Sequence, residues 1–207
     1  MANISDVIQQ FDNEHTFRYK AGYMKYLLLV FSLLFTLSIQ AMPSQVFIIR
    51  HGEKVVKGGS LSTKGNERAA ALVPYLMETP TLFATNPPAA IYAMQTVTGE
   101  TASPCIETIT PLAEKLKITV TDKYNKGEHK KMAEAIKTDP LYNGKIVLIC
   151  WEHSTIPELT RAFGALQTPA RWQDINFDRV WAISFSQTGK ATFQDIPQRL
   201  MFGDTTR

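Results

Sequence analysis

Two short stretches decide the fold of this chain: residues 45–54, QVFIIRHGEK, and residues 145–154, KIVLICWEHS. Each contains an apolar, β-branched run of the length of a buried strand and continues into polar residues that include a histidine, His51 in the first and His153 in the second. Short continuous apolar runs of this kind are typical of strands that are covered on both faces. Ligands of open α/β sheets bind beyond the carboxyl ends of the strands, so both histidines are candidate site residues.

Helix and strand patterns alternate along the rest of the chain. Apolar residues recur at helical spacing after Leu61, and Ser62 or Thr63 can serve as the N-cap of that helix. Further segments are predicted as strands at 89–93 and 118–121, as helices at 106–116, 130–136 and from after Ser154 to about 163, and as a closing hairpin at 180–193 around Gly189. The alternation predicts an α/β fold, a three-layer αβα sandwich with a mostly parallel central sheet.

Composition excludes several classes of protein. The 207 residues include 22 Lys+Arg and 19 Asp+Glu, a net charge of +3, with 44% hydrophobic residues. A disordered chain would carry fewer apolar residues and a larger net charge. Two cysteines are too few for a disulfide-dense scaffold. Basic residues are dispersed, with Lys130-Lys131 as the one adjacent pair, so we expect no nucleic-acid partner.

The amino-terminal region is predicted to be separate from the folded domain. Residues 26–39, YLLLVFSLLFTLSI, follow Lys25 and form an uncharged apolar run of about 14 residues, whereas a membrane span needs roughly 20. We interpret 24–41 as a signal peptide, which predicts an exported protein, periplasmic or secreted. The alternatives are an uncleaved anchor in the inner membrane and a buried core helix. We expect contact with a membrane only if the segment is an uncleaved anchor. Residues 43–207 then form one domain.

Residues 1–23 form a polar leader that is unusual in front of a signal peptide. They contain Asp6, Asp12 and Glu14. The simplest account is that translation starts at Met24 and that the leader is not translated.

The residues around His51 favour phosphoryl chemistry. The guanidinium of Arg50 matches phosphate oxygens and stays charged, and Gly52 lets the backbone approach a ligand closely. A neutral imidazole beside that cation is a nucleophile for phosphorus, and the imidazole of His153 can stabilise the transferring group. His129 lies in a polar stretch and is interpreted as a solvated surface residue. No cluster has metal-ligand spacing, so no metal or cofactor is expected.

An ordered set of motifs between residue 46 and about 185 resembles the histidine phosphatase superfamily, also called phosphoglycerate-mutase-like. The motifs are Arg50-His51-Gly52-Glu53-Lys54, Leu61-Ser62-x2-Gly65-x2-Arg68-Ala69, Glu107-Thr108-x2-Pro111-Leu112-Ala113, Trp151-Glu152-His153 and Ile156-Pro157-Glu158. The resemblance implies an αβα sandwich, a phosphohistidine intermediate on His51, phosphate contacts from Arg50 and Gly52, and transition-state stabilisation by His153. It further implies a small phosphorylated substrate or a phosphoprotein as partner.

The chain departs from this family at one phosphate-binding position. Relatives carry a second Arg before the Pro-Leu-Ala helix, and Pro104 stands in its place. Arg68, Lys54 or Lys57 are candidates to compensate. The prediction is therefore a phosphatase that hydrolyses a phosphomonoester or phosphoramidate, and the alternative is a catalytically weakened relative that binds a phosphorylated or anionic ligand.

The general acid and the two cysteines are left open by the residues. Candidate acids are Glu53, Glu107, Glu128 and Glu152, and we favour Glu128 because it follows a predicted strand near where relatives often place an acid. Cys105 and Cys150 are interpreted as buried thiols, with a disulfide as the alternative in an oxidising compartment.

Overall fold

The computed structural model describes residues 42–56, 59–83, 86–96 and 103–205, all within the unit Ala41–Arg207. The predictions for the leader 1–23 and for the signal peptide or anchor 24–41 lie outside the described residues. In the described ranges, none of the helices has both the length and the apolar character needed to cross a membrane.

A six-stranded sheet forms the centre of the domain, in the order β3-β2-β4-β1-β5-β6. The strands are β1 (Gln45–Arg50), β2 (Ala90–Met94), β3 (Val120–Tyr124), β4 (Ile146–Trp151), β5 (Arg179–Phe185) and β6 (Ala191–Pro197). The pairs β1–β4, β2–β4 and β2–β3 are parallel, whereas β5 is antiparallel to both β1 and β6. The predicted mostly parallel sheet is confirmed.

Helices flank this sheet and pack in two pairs, α1 with α2 and α3 with α4. The helices are α1 (Thr63–Glu78), α2 (Pro104–Leu116), α3 (His129–Thr138) and α4 (Ile156–Ala162), with single 3-10 turns at Lys126–Glu128 and Pro140–Tyr142. The α/β class predicted from the alternating pattern is confirmed.

The two apolar runs of the sequence form adjacent central strands. All six residues of β4 are buried, and in β1 the residues from Val46 to Arg50 are buried. Burying one Ile, Val or Leu side chain stabilises the fold by roughly 1.5–3 kcal/mol. Both strands are covered on both faces, which explains why their apolar residues do not alternate with polar ones.

Strand β3 lies further along the chain than predicted, at Val120–Tyr124 instead of 118–121. The reason is the end of α2, where Lys117 adopts a left-handed conformation with φ 57°. The backbone N–H of Ile118 then donates to the carbonyl of Ala113, so Ile118 completes the helix terminus and does not enter the sheet.

Two glycines let the loop after β1 touch the start of α1. A Cβ on Gly52 would lie 2.9 Å from the carbonyl oxygen of Gly65, and a Cβ on Gly65 would overlap the carbonyl oxygen of Glu53. Ser62 is the N-cap of α1, and its hydroxyl accepts from the backbone N–H of Gly65 at 3.2 Å. The contact is therefore backbone against backbone, which only glycine permits.

Arg68 of α1 joins this loop to the carboxy-terminal segment. Its guanidinium is 1% exposed and donates to both oxygens of Glu53, at 2.7 and 2.9 Å, and to both oxygens of Asp204, at 2.7 and 3.0 Å. Burial opposes ionisation of the two carboxyls, but the bonds from Arg68 hold the pKa of each below its ordinary value. All three side chains therefore stay ionised at neutral pH.

We expect Gly65→Ala to destabilise the chain by about 2–4 kcal/mol, because the new methyl group overlaps backbone that cannot move independently of β1. The free energy of unfolding in urea measures the effect. Gly127→Ala is the matched control: its Cβ would meet only the Asn125 side chain at 3.4 Å, so a change of at most about 1 kcal/mol is expected. Equal losses in both variants would contradict the close-contact interpretation.

Arg68→Met should cost about 3–5 kcal/mol at pH 7, because it leaves the Glu53 and Asp204 carboxylates without their counter-ion. Both carboxyls have lowered pKa values, so the stabilisation they provide is present above their ordinary pKa and is lost as the pH falls. The difference from wild type should therefore shrink on acidification from pH 5 to pH 3.

Urea unfolding at several pH values measures this difference. Arg161→Met, which removes a single hydrogen bond to the Pro169 carbonyl, is the control. A pH-independent deficit in Arg68→Met would show that its loss is one of packing and not of charge.

Candidate active site

The pairing of β1 with β4 places the two predicted site segments side by side. The strands are parallel and Arg50 lies opposite Trp151, so His51 and the Glu152-His153 pair leave the sheet at the same edge. Strand β3 is parallel to β2, which is parallel to β4, so the turn after β3 opens at this edge too. The structure thus brings together Arg50, His51, Gly52 and His153.

His51 is held in one orientation by its own backbone. Its ring is 3% exposed, and Nδ1 lies 2.7 Å from the carbonyl oxygen of Gly52. A carbonyl only accepts, so Nδ1 carries the hydrogen and Nε2 keeps a lone pair. Burial above all, together with the charges of Arg50 and Lys54 and against the Gly52 bond, lowers the pKa of His51 to about 4. At neutral pH the ring is neutral, with Nε2 available as a nucleophile.

Arg50 is fixed by a loop that follows α4. Its Nη1 donates to the carbonyls of Asp174, at 2.6 Å, and Asn176, at 3.1 Å, and the guanidinium carbon stacks 3.8 Å from the ring centroid of Phe177. Burial lowers the pKa of Arg50 to about 10, against the attraction of Glu152 and Asp174, so it remains a cation.

The Nε of Arg50 is buried and has no hydrogen-bond partner among the described residues. An unpaired buried donor costs about 1–3 kcal/mol. An anionic oxygen placed there would remove that cost, so the Nε of Arg50 is a candidate donor to an anion.

His153 lies between two carboxylates. Its Nε2 is 3.1 Å from Oδ1 of Asp174, and its Nδ1 is 2.8 Å from Oε1 of Glu152. Burial and the charge of Arg50 lower the pKa of His153, whereas the two carboxylates oppose that shift. A phosphate dianion at this edge would add to the carboxylates and favour the imidazolium, which can then donate to a phosphoryl oxygen.

Glu152 is an ionised carboxylate rather than a proton donor. Its Oε2 lies 2.8 Å from Nζ of Lys126 and accepts from the hydroxyl of Ser154. Burial opposes ionisation, but these bonds together hold the pKa of Glu152 at about 2. Lys126 was missed by the sequence reasoning. The available signal was a cation two residues after the end of β3, and that position has no meaning until the strands are ordered.

Gly52 is bound to the helix that begins at Pro104. Its backbone N–H donates to Oγ1 of Thr108 at 2.8 Å, and that hydroxyl donates to the carbonyl of Pro104 at 2.6 Å. Glu107, a candidate acid, accepts from the backbone N–H of Leu61 at 2.8 Å and so holds the loop that follows the nucleophile. Thr108 and Glu107 therefore act on the geometry of the site through Gly52 and the loop.

Two of the three suggested compensating cations make no described contact that would replace the arginine expected at position 104. Arg68 is bound on both sides by Glu53 and Asp204, which also commits Glu53, another candidate acid. Lys54 is exposed and pairs through its backbone with Leu61. Lys57 lies outside the described residues.

Glu128 has the contacts of a capping residue. Its carboxylate accepts from the backbone N–H of Asn125 at 3.1 Å and lies 3.2 Å from Nζ of Lys131. The Asn125 bond and then Lys131 lower the pKa of Glu128, which favours the ionised form over the form that donates a proton. Its assignment as general acid stays a prediction.

His129 is buried, 6% exposed, so its interpretation as a solvated surface residue was wrong. It begins α3, and its ring lies between the Lys126 carbonyl, 3.1 Å from Nδ1, and Glu158 of α4, 3.2 Å from Nε2. The residues next to His129 in the sequence are polar and predict exposure, but its side chain faces α4.

Cys105 and Cys150 are both buried and free. Burial, followed by the neighbouring Cys105, raises the pKa of the Cys150 thiol. Within the part of the chain that the structure describes, no group of three or more His, Cys, Asp or Glu side chains converges on a point that could hold a metal.

Comparisons with known proteins add evidence on the fold. No protein family matches the sequence, and no curated protein matches it. Among solved structures, the protein histidine phosphatase SixA complexed with tungstate matches at 14% identity with a TM-score of 0.50, over 74% of this chain and 97% of that one. Phosphoglycerate mutase from Plasmodium falciparum matches at 13% identity with a TM-score of 0.53, over 79% and 97%. The fold that the sequence motifs predicted, that of the histidine phosphatase superfamily, is therefore the fold of this chain.

Proposed function

We propose that this protein is a phosphatase that hydrolyses a phosphomonoester or a phosphoramidate through a phosphohistidine on His51. One observation carries the proposal: the His51 ring is buried, neutral and anchored through Nδ1 to the Gly52 carbonyl, so that Nε2 holds a fixed lone pair. The superfamily fold supports it, because the structurally similar SixA is a protein histidine phosphatase. On this basis the substrate is a small phosphorylated molecule or a phosphoprotein.

The proposed reaction has two displacement steps. In the first, Nε2 of His51 forms a bond to phosphorus while the bond from phosphorus to the leaving oxygen or nitrogen breaks, and the leaving atom takes up a proton from solvent. In the second, water attacks the phosphohistidine, the phosphorus–nitrogen bond breaks, and inorganic phosphate leaves with one proton released to solvent. Nδ1 keeps its hydrogen throughout, so the Gly52 bond also stabilises the charge on the phosphorylated ring.

Two donors would stabilise the transferring group. The free Nε edge of Arg50 supplies a charged donor, and its position is fixed by the Asp174 and Asn176 carbonyls and by Phe177. His153 supplies the second through Nε2, once Asp174 releases it. Donors held in place before the reaction need no reorganisation as charge moves onto the phosphoryl oxygens.

Binding without turnover is the alternative function, and two observations favour it. Pro104 stands where the family resemblance predicts a phosphate-binding arginine. In addition, the Asp174 carboxylate lies against Nε2 of His153, which is the atom that would donate to a phosphoryl oxygen. An anionic ligand would have to displace that carboxylate. A weakened relative would still bind phosphate at Arg50 but would transfer it slowly.

Turnover of a generic aryl phosphate and of a phosphohistidine peptide tests the proposal. The full chain is expected to hydrolyse at least one of them, and His51→Ala should lower kcat/KM by about 10³-fold or more, because the nucleophile is lost. Acid quenching of the wild type should trap phosphate on His51. Circular dichroism and urea unfolding show that the variant is folded.

No turnover above His51→Ala, with phosphate binding retained, would establish the binding function instead. Turnover without trapped phosphate under any quench time would contradict the covalent route.

The ionisation of His51 can be measured directly by NMR of the ring nitrogens. We expect the neutral tautomer with hydrogen on Nδ1 from pH 8 to about pH 5, with half-protonation near pH 4, because burial lowers the pKa to about 4. The spectrum of His51→Ala assigns the signal. Titration close to the ordinary value of 6.5 would contradict the buried, neutral nucleophile.

A further inference from the structure

The proposed site is short of one cation. A phosphoryl group in transfer carries its charge over three oxygens, and the family's second Arg is replaced by Pro104, which cannot donate a hydrogen bond. Arg68 is committed to Glu53 and Asp204. Among the described residues at this edge of the sheet, two lysines are not used by the proposed mechanism: Lys54, which is exposed and whose charge helps to lower the pKa of His51, and Lys126, which pairs with Glu152. Lys126 is the one that direct contacts link to His153.

A continuous chain of polar contacts connects Lys126 to the site. Its Nζ lies 2.8 Å from Oε2 of Glu152, and the other oxygen of that carboxylate lies 2.8 Å from Nδ1 of His153. His153 in turn meets Asp174, whose carbonyl binds Arg50. Only one carboxylate therefore separates the ammonium from the imidazole that faces the transferring group.

The backbone beneath Lys126 is firmly held. The turn Lys126–Glu128 has a capping box, with the Asn125 side chain accepting from Gly127 at 2.9 Å and Glu128 binding the Asn125 backbone. The carbonyl of Lys126 is 3.1 Å from Nδ1 of the buried His129. The turn is thus tied to α3 and through His129 to α4, which begins just after His153.

The side chain of Lys126, in contrast, is 49% exposed, and its partner Glu152 is 18% exposed. An ion pair with one well-hydrated partner is exchanged easily, and an ammonium on a four-carbon stem rotates readily among acceptors. A phosphoryl group bound beside His153 would offer more negative charge than one carboxylate.

We propose that Lys126 binds the transferring phosphoryl group and supplies the positive charge that the missing arginine at position 104 would have supplied. The inference rests on the proposed function and assigns the cation of that same site. In the ligand-free chain Nζ is paired with Glu152, and it moves to a phosphoryl oxygen when the anion binds. Glu128 and His129 then have a role as well, since they hold the turn that carries Lys126.

Affinity for inorganic tungstate, a phosphate-like anion, tests this without turnover. Lys126→Ala should raise the Kd for tungstate by about 10-fold or more, because it removes a charged donor. Lys126→Arg should keep most of the wild-type affinity, because it keeps a charged donor at this position. Lys137→Ala is the matched control, since Lys137 makes an ion pair of the same length, 2.8 Å, with Glu134 on the adjacent helix. A loss in Lys126→Ala no larger than in Lys137→Ala would overturn the proposal.

Glu152→Gln separates direct binding from support of Glu152. If Lys126 binds the anion, Lys126→Ala made in the Glu152→Gln background should still raise the Kd for tungstate by about 10-fold, because the ammonium contacts the anion and does not act through Glu152. If Lys126 acts only by holding Glu152 against His153, Lys126→Ala should have no further effect in that background. That second result would overturn the assignment.

Kinetics on the aryl phosphate distinguish this proposal from the function on which it rests. Wild-type turnover with kcat/KM lowered by about 10-fold or more in Lys126→Ala, and recovered in Lys126→Arg, supports both. Wild-type turnover with Lys126→Ala at the wild-type value overturns only the role of Lys126. No wild-type turnover above His51→Ala refutes the phosphatase, and tungstate affinity then still decides whether Lys126 is an anion ligand.

Discussion

The parallel pairing of β1 with β4 is the constraint on which the site depends. Arg50 lies opposite Trp151 in this register, so the residues that follow the two strands, His51 and His153, must emerge together at one edge. A shift of one residue would turn every side chain of either strand to the opposite face, and because both strands are buried on both faces the core on each side of the sheet would have to repack. The same burial that stabilises the core therefore sets the relative position of the two imidazoles.

Close backbone packing then fixes the loop that carries the nucleophile. Gly52 and Gly65 allow the segment after β1 to lie directly on the start of α1, and Glu53, the next residue, is held by Arg68. The Gly52 carbonyl orients the His51 ring. The packing of Gly52 against Gly65 therefore also sets the position of Nε2 of His51, the proposed nucleophile. The buried ion cluster ties the carboxy-terminal segment to this loop through Asp204, so the end of the domain also supports the site.

Protein carboxylates balance the positive charges at the site. Arg50 and His153 both meet Asp174, through its carbonyl and its carboxylate, and Lys126 meets Glu152. Under the proposed function, an entering anion takes the place of these carboxylates at His153 and Lys126, and it also gives a partner to the buried Nε of Arg50, which has none among the described residues.

Much of the fold followed from the sequence, because continuous apolar runs and helix caps are local signals. β1, β4 and α1 lie where the sequence pattern predicted them. The segments that carry His51 and His153 also indicated at which edge of the sheet the candidate site lies. The predicted start of β3 was wrong because Ile118 completes the end of α2. The predicted exposure of His129 was wrong because its burial depends on contacts with α4 and not on its neighbours in the sequence. The contacts of Lys126, Asp174 and Phe177 were decided by tertiary structure alone. Each is an otherwise ordinary polar or aromatic residue outside the helices and strands of the sheet layers. Only the order of the strands and the packing of separate segments bring Asp174 and Phe177 against Arg50, and Lys126 against Glu152, because contacts between residues far apart in the chain leave no local sequence pattern.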